Sequence, residues 1–559
     1  MSASASAPGR PGEPGPRSWR ALAAAGLVLF FVWNALYFWP YVVDDAFISF
    51  RYARNLALGQ GLVYNPGERV EGYSNFLWVL LAAGVLALGG PLVTSMKVAG
   101  LAAGVATLLG SMRLAQRIFA GEPASRLKVA LAAGLLGTHT SLAVWSQAGL
   151  ETPLFAALLV GAVGRFELER REPGRLPGSA LLFGLAWLTR PEAPTYALYF
   201  AARRFLPRGR PRLGRADLGW LAVLAALVVP FELFGLVYYG ELLPQTHGAK
   251  LGREGHGLLA SDPSGSLVFR FALGQGGAFA GLLALGALGC LARPGRVPKA
   301  AWVPASSGLL FALYAWSDWM PRYRLLVPCL PFLFLLLAHG LGEVFERARG
   351  RRVRGALGLL LASLLAGALH EQLFGAYGPH RRGPSSQFAA RGRGLWWSQV
   401  PAQLGRRIHP LERDAWRILR RAPEHEPVGL ADIGFPGFLT GNPIWDVRGL
   451  VTPAAARARN DDSEAARRAL VDDLLRVRPL LLVLPLRRRG FAPAIGRVDR
   501  HLRADARVTA VYRRERAPEG DAILYLRRAA PPYDPGPRIA AALARFPEYA
   551  SELARRETR

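Results

Sequence analysis

The chain has 559 residues, 51% of them hydrophobic, and a net charge of +29 that comes almost wholly from arginine. Lysine occurs only at Lys97, Lys128, Lys250 and Lys299. No compact basic stretch with interleaved aromatics stands out, so the charge reads as membrane topology and lipid head-group contact and not as nucleic-acid binding.

Residues 1–20 read as a flexible cytoplasmic tail. The segment 21–43, ALAAAGLVLFFVWNALYFWPYVV, is long enough to cross a bilayer. No small-residue cleavage site follows it, which reads as a retained helix and not a signal peptide. Further apolar segments lie near 73–89, 92–112, 128–146, 152–166, 176–189, 193–203, 216–238, 266–292, 300–317, 325–345 and 353–372. Cys290 and Cys329 fall inside such segments and read as small core residues, not as a disulfide or metal site.

Arg10, Arg17 and Arg20 put the N-terminus inside. Basic connectors such as RLAQRIFAGEPASRLK, RFELERREPGR and ERARGRRVR then alternate with connectors that hold the polar motifs. If loop 44–72 is outside and 111–127 inside, one net crossing separates them, yet two apolar segments lie there. The segment 73–89 is therefore expected not to span but to lie at the outer interface, as Tyr73, Phe76 and Trp78 suit. The count becomes eleven spanning helices, with 176–189 and 193–203 short.

Residues 373–559 are Arg-rich and lack a spanning run. VGLADIGFPGFLT, PIWDVRGLV, PLLLVLPL, RVTAVYRRE and DAILYLRR read as short strands. ARNDDSEAARRALVDDLLRVRP reads as helical, with a cap at Asp461 to Ser463. The expected architecture is an α-helical polytopic membrane domain over 21–372 and a soluble outer α/β domain over 373–559.

Asp44 and Asp45 follow the first apolar segment directly. A carboxylate at a membrane exit is costly to hold without a task, which points to function. The alternative is that the pair caps the next helix. The other polar motifs also fall on the predicted outer side: Glu151 in WSQAGLETP, Arg190 and Glu192 in LTRPEAP, His247 and Lys250 in LLPQTHGAK, and Asp318, Arg322 and Arg324 in WSDWMPRYR. Carboxylates and cations in one outer cavity suit a lipid-phosphate sugar donor. Arg or Lys would grip the phosphate, and a carboxylate would take the acceptor hydroxyl's proton. Each residue has a plainer alternative. Glu151 could serve a helix N-terminus, Arg190 could pair with Glu192 at a helix end, Arg322 and Arg324 could anchor at the interface, and His247 could be structural. Tyr52, Tyr64 and Tyr73 could simply pack. No Ser-His-Asp order, zinc spacing or phosphate-binding glycine loop occurs in the required context.

These motifs resemble the GT-C superfamily of polyprenyl-phosphate-sugar glycosyltransferases. DDAFISFRYARNLALGQGLVYNPGERVEGYSNFLW is similar to the first-loop signature of the mycobacterial terminal β-(1→2) arabinofuranosyltransferase family. WSQAGLETPLF, LTRPEAP, YYGELLPQTHGAK, DWMPRYRLLVP and DIGFPGFLTGNPIWDVRGLVTP resemble further motifs in the same order, so the resemblance covers about residues 30–455. It implies an inverting transferase that uses a decaprenyl- or undecaprenyl-phospho-sugar, such as a pentofuranose, at the outer face of a bacterial inner membrane. The acceptor would be an envelope glycan or glycolipid. Asp44 or Asp45 would be the base, and Glu151 would assist or, with Asp44, hold a divalent Mg or Mn ion. Arg190, Lys250, Arg322 and Arg324 would hold the donor phosphate, and Glu192, His247, Asp318 and Tyr73 would contact substrate. Trp316-Ser317-Asp318 departs from the Gly-Gly-Asp that relatives often carry. The rival readings are a GT-C enzyme moving a hexose or aminosugar onto lipid A or protein, a lipid-linked-sugar transporter, and a non-catalytic envelope scaffold.

Overall fold

The structure is a computed structural model of the full chain. It describes residues 16–39, 41–172, 176–205, 214–242, 244–246, 266–315, 320, 322–374, 414–461, 463–485, 492–517, 522–530 and 532–545. Most of the expected tail (1–15), His247, Lys250 and Asp318 lie outside the described residues.

The first helix, α1, runs Pro16–Tyr37 and so begins inside the segment expected to be a tail. The next helices are α2 (Asp44–Ala57), α3 (Phe76–Ala87), α4 (Leu92–Ile118), α5 (Ser125–Thr138), α6 (Thr140–Trp145), α7 (Thr152–Arg171), α8 (Gly178–Thr189), α9 (Ala193–Phe205) and α10 (Arg215–Tyr239). They continue as α11 (Leu267–Gly274), α12 (Gly277–Ala292), α13 (Lys299–Tyr314), α14 (Leu330–Arg347) and α15 (Arg351–Phe374).

Two expected continuous segments are broken. His139 separates α5 from α6, and its imidazole accepts a hydrogen bond from the Ser141 amide at the new N-terminus. Gln275 and Gly276 separate α11 from α12, which meet at 104°, with Gly276 in the left-handed region at φ 99°. Periodicity does not reveal such breaks, because both sides stay apolar.

Among the described residues, four helices are long and apolar enough to cross a membrane, or five if the bent pair is one span. Of these, α10 and α15 bury 6% and 11% of their apolar windows, leaving Leu221, Leu233, Leu236, Leu359 and Leu360 outward. Apolar surface of that extent needs a lipid or protein cover, and the chain is a multi-pass membrane protein. The twelve-residue α3 rises about 18 Å, short of a 30 Å hydrocarbon core. Small residues permit the closest helix contact: Gly286 and Gly289 of α12 lie against Gly340 of α14, where a Cβ would strike backbone.

Beyond α15 comes a mixed sheet. Helix α16 (414–421) leads to β1 (Val428–Leu430), then α17 (Phe435–Thr440), β2 (Ile444–Asp446), α18 (Pro453–Asn460), α19 (Glu464–Val477) and β3 (Leu481–Pro485). Strands β4 (Tyr512–Arg516) and β5 (Ala522–Arg527) follow, in the order β2-β1-β3-β5-β4. The first three strands pair in parallel, and β5 pairs antiparallel with both β3 and β4. Each expected strand run holds a strand, but only a short one; VGLADIGFPGFLT turns into α17 after three strand residues. Ser463, at the foreseen cap, accepts the Ala466 amide. Alternation along β3 sends Leu481 and Val483 into the core shared with the membrane helices, and Leu482 and Leu484 into a second core.

Candidate active site

The site begins at α2. Its N-cap is Val43, without a side-chain cap bond, so Asp44 and Asp45 are first-turn residues and do not cap their own helix. The Val43 amide donates to Ala148 O (3.1 Å), joining the α2 entry to the loop before α7. Both aspartates are half-buried. Asp44 reaches across the fold instead: its Oδ1 accepts the Phe435 amide at 2.7 Å and its Oδ2 accepts the Gly434 amide at 3.2 Å.

One turn further along α2, a buried polar network starts. Ser49 and Asn75 share a 3.0 Å hydrogen bond, and Asn75 Nδ2 donates to Glu151 Oε2 at 2.7 Å. Glu151 Oε1 accepts from Arg190 (2.6 Å) and from Arg324 (2.9 Å). Arg190 also donates to Glu192 (2.5 Å). Arg324 Nε reaches Thr152 Oγ1 at 3.4 Å, Nη1 points at the Met320 sulfur at 3.0 Å, and the guanidinium lies 5.7 Å from the Trp145 ring centre. Four motifs separated by up to 275 residues thus meet in one cluster, of which Glu151 is fully buried.

Burial pushes the Glu151 carboxyl up, but Arg324, Arg190 and the Asn75 amide outweigh it and hold it at about 2. Glu151 is therefore a counter-ion that sets two guanidinium groups, and a poor proton acceptor. It sits at the N-cap of α7 yet makes no side-chain cap bond, so the capping alternative also fails. Glu192 is the Arg190 partner. Asp44 and Glu151, the pair expected to hold any divalent cation, are turned to amides and guanidinium groups respectively. They do not fit a Mg or Mn site, and among the described residues no three His, Cys, Asp or Glu side chains gather at ligand spacing.

Arg322 and Tyr323 both adopt left-handed backbone (φ 57° and 55°) immediately before Arg324. Two consecutive non-glycine residues held so store strain of order 1–3 kcal/mol each, a signature of functional sites. Tyr323 anchors the turn by donating to Arg270 O at 2.9 Å. Tyr73 is 3% exposed and wedged edge-on against Tyr52 (4.8 Å) and Tyr239.

Sequence reading missed the joint between the first loop and the outer sheet. Arg51 is buried and donates to Tyr64 O (2.8 Å), Gly437 O (2.7 Å), Asn442 O (2.7 Å) and Asn65 Oδ1 (3.2 Å). Tyr64 donates to Ile433 O (2.6 Å), and the Asn65 amide group exchanges two hydrogen bonds with Ile444. Phe47 packs on Phe435 and Phe438. A Cβ at Gly437 would strike the Tyr64 hydroxyl. Asp446 fixes the following turn by accepting the amides of Arg448, Leu450 and Val451. The stretch DIGFPGFLTGNPIWDVRGLV is thus the outer half of a lock whose inner half is the first-loop motif.

A helical bundle with connecting loops folded under a mixed sheet matches a known architecture. The chain aligns with the crystal structure of ArnT from Cupriavidus metallidurans bound to undecaprenyl phosphate. The TM-score is 0.53 at 15% identity, over 93% of this chain and 100% of that one. The fold is GT-C. By sequence, the chain is 31% identical over 248 residues to the terminal β-(1→2)-arabinofuranosyltransferase of Mycobacterium tuberculosis (strain ATCC 25618 / H37Rv), across 41% of this chain and 38% of that protein. The enzyme of the same name from Corynebacterium glutamicum is 28% identical over 246 residues, across 38% and 33%. The chain thus spans well under half the length of these curated relatives. A sequence-family profile described as a domain of unknown function (DUF8728) matches residues 401–526, which includes the outer sheet. In this fold α2, the 148–152 turn and the 322–324 turn come together, and α17 lies over Asp44.

Proposed function

We propose that this chain is an inverting glycosyltransferase that moves a sugar, an arabinofuranose or related pentose, from a polyprenyl-phosphate donor to an envelope glycan or glycolipid. The carrying observation is the cluster in which Ser49 and Asn75 of the motif that opens with Asp44 and Asp45 meet Glu151, Arg190 and Arg324 within a GT-C fold. The likeness to arabinofuranosyltransferases and to a structure holding undecaprenyl phosphate supports the donor class.

In this mechanism one aspartate of the 44–45 pair accepts the acceptor hydroxyl proton. The acceptor oxygen bonds to the anomeric carbon from the face opposite the phosphate. The carbon–oxygen bond to phosphate breaks, and polyprenyl phosphate leaves with the electron pair. Arg190 and Arg324, fixed in advance by Glu151, stabilise the charge that develops on the leaving phosphate. The thioether of Met320 is a weak acceptor for Arg324 Nη1, and a phosphate oxygen would replace it readily. On this reading Arg322 and Lys250, the latter outside the described residues, would add further positive charge for the donor phosphate.

The topology that goes with this reading has eleven spans, a cytoplasmic N-terminus, α3 along the outer interface and residues 373–559 in the periplasm. The alternation of basic connectors and the shortness of α3 support it. Transfer from a panel of synthetic polyprenyl-phospho-sugars to a short glycan acceptor tests the activity. Turnover with one donor names the sugar. Absence of transfer with every donor, while labelled lipid-sugar crosses a vesicle bilayer, overturns the reading in favour of a transporter.

A further inference from the structure

The two breaks in the helical bundle meet at one place. His139 follows α5, Gln275 precedes α12, and both lie beside Gln372 near the end of α15. The direction of the hydrogen bonds there is set by the backbone. The Thr140 amide donates to Gln372 Oε1 at 3.2 Å, so Gln372 presents its nitrogen to the next partner. That nitrogen donates to Gln275 Oε1, which leaves Gln275 Nε2 over. It is buried and has no partner among the described residues. His139 reaches the same state by another route. Its Nδ1 accepts the Ser141 amide, so the neutral ring carries its proton on Nε2, which is also buried without a partner. Gln275 is the polar neighbour of the ring, yet neither nitrogen has a hydrogen bond of ordinary geometry. Two N–H donors in one small region thus lack an acceptor, and Arg322 lends the ring positive charge. Buried donors left so cost free energy that an oxygen-bearing guest would recover.

Beside them lies a cavity of 220 Å³ between α5, α12 and α15, with His139 and Gln372 at one end. The Thr138 hydroxyl is spent on Gly134 O (2.7 Å), so the rest of the lining is apolar. Leu131, Leu135, Phe279 and Ala368 are its buried wall, and the more exposed Ala130, Gly134 and Leu365 leave it open between α5 and α15. From Thr138 to Ala130 it follows α5 for about 12 Å. A Cβ on Gly134 would meet nothing within 4 Å. The depth also has a direction. The apolar span of α15 covers Arg351–His370, so Gln372 stands past its end, at head-group level, while Leu365 stands within it. A polar end at the interface and an apolar body toward the hydrocarbon is the disposition of a lipid.

We propose that this cavity binds an anionic glycerophospholipid of the surrounding bilayer. One acyl chain enters along α5 between Gly134 and Leu365, and phosphate oxygens accept from His139 Nε2 and Gln275 Nε2. A phosphodiester brings several acceptors on one group, and its negative charge suits Arg322. The bilayer is the immediate source, because α15 keeps only 11% of its apolar window buried. The site is separate from the Glu151 cluster and does not depend on the glycosyltransferase reading. It is nonetheless in contact with that region: His139 lies 6.0 Å from the Phe271 ring, and Phe271 packs at 5.3 Å on Tyr323, the residue before Arg324.

The test places full-length protein in phosphatidylcholine vesicles with a trace of phosphatidylglycerol that carries a photoactivatable diazirine in one acyl chain. Cross-linked peptides are mapped by mass spectrometry. Labelling is expected on 130–139 and 365–372, and unlabelled phosphatidylglycerol is expected to displace it. Gly134→Leu grows into the open space of the cavity. It should lower labelling of those peptides about tenfold and leave that of the lipid-facing α10 unchanged, which reports a folded chain. Gln275→Leu removes a head-group donor and should erase the preference for phosphatidylglycerol over phosphatidylcholine. Undiminished labelling of 130–139 in Gly134→Leu overturns the site. A preference that survives Gln275→Leu overturns the head-group contact. Displacement by undecaprenyl phosphate but not by phosphatidylglycerol overturns the choice of lipid and gives the cavity to a prenyl chain.

Discussion

Two buried charge clusters sit in different parts of the helical bundle and are built on opposite plans. The one beside α2 sets two arginines, Arg190 and Arg324, on the carboxylate of Glu151, with Glu192 closing one side. The other sets one lysine among three carboxylates. Lys128 Nζ lies 3.0–3.3 Å from Glu122, Glu343 and Glu346, and Arg293 closes Glu343 at 3.0 Å. The α2 cluster offers planar guanidinium groups, beside the left-handed turn at Arg322 and Tyr323. The lysine cluster is surrounded by acceptors and has no use for an anion. It ties α5 to α14, where a Cβ on Gly342 would strike the Lys128 stem. Buried charge alone does not mark a site; the geometry of the donors does.

That contrast can be broken by substitution. Glu151→Gln leaves Arg324 without a carboxylate and Arg190 with only Glu192. Removing one partner of a buried pair costs about 3–5 kcal/mol, so the melting temperature in detergent should fall sharply and transfer should disappear. The folded carboxyl is held at about 2, below its ordinary 4.5. Its contribution is therefore present above pH 4.5 and fades as pH falls toward 2, and the acid limb of a stability profile should report it. Lys128→Met should destabilise by about 3 kcal/mol but leave transfer per folded molecule unchanged. Equal loss of turnover in both variants would erase the distinction between the clusters. Arg51→Lys keeps the charge and loses the fork that reaches Gly437 O and Asn442 O together. A drop of about 2 kcal/mol, with faster proteolysis after residue 427, is the expected result.

The smallest effect concerns Glu71, whose carboxyl is raised to about 8 by burial and by Glu232 and Glu241. A raised carboxyl favours the fold while protonated. That contribution is full below pH 4.5 and is lost as pH rises through 8. Stability measured from pH 5 to 9 should decline, and Glu71→Gln should flatten the decline.

The sequence carried the helices and the strand runs because both obey local periods that survive in a single chain. It also singled out Glu151, Arg190, Glu192 and Arg324, which the fold brings together, because charged residues stand out beside long apolar segments. What it did not carry were pairings across hundreds of residues. Ser49 and Asn75 sit inside the first-loop motif and look like ordinary polar residues, and only the folded chain shows them bridging α2 to Glu151. Arg51 looks like one arginine among many in a chain of this composition. Its burial was visible only in the i, i+3, i+7 spacing it shares with Asp44 and Phe47. The counter-ions of Glu151 were not legible, because a residue type does not reveal its partners. The breaks at His139 and Gln275 were hidden because an apolar run looks the same whether straight or bent.

Arg51 also sets a timetable. Two of its four acceptors, Gly437 O and Asn442 O, lie 386 and 391 residues downstream. At 5–20 residues per second the ribosome needs roughly 20–80 s to make them after Arg51 emerges. During that interval the guanidinium, the Asp44 carboxylate and the Phe47 and Phe50 rings wait without the partner they are shaped for. The first loop is thus made early and completed only when the 434–444 segment reaches it.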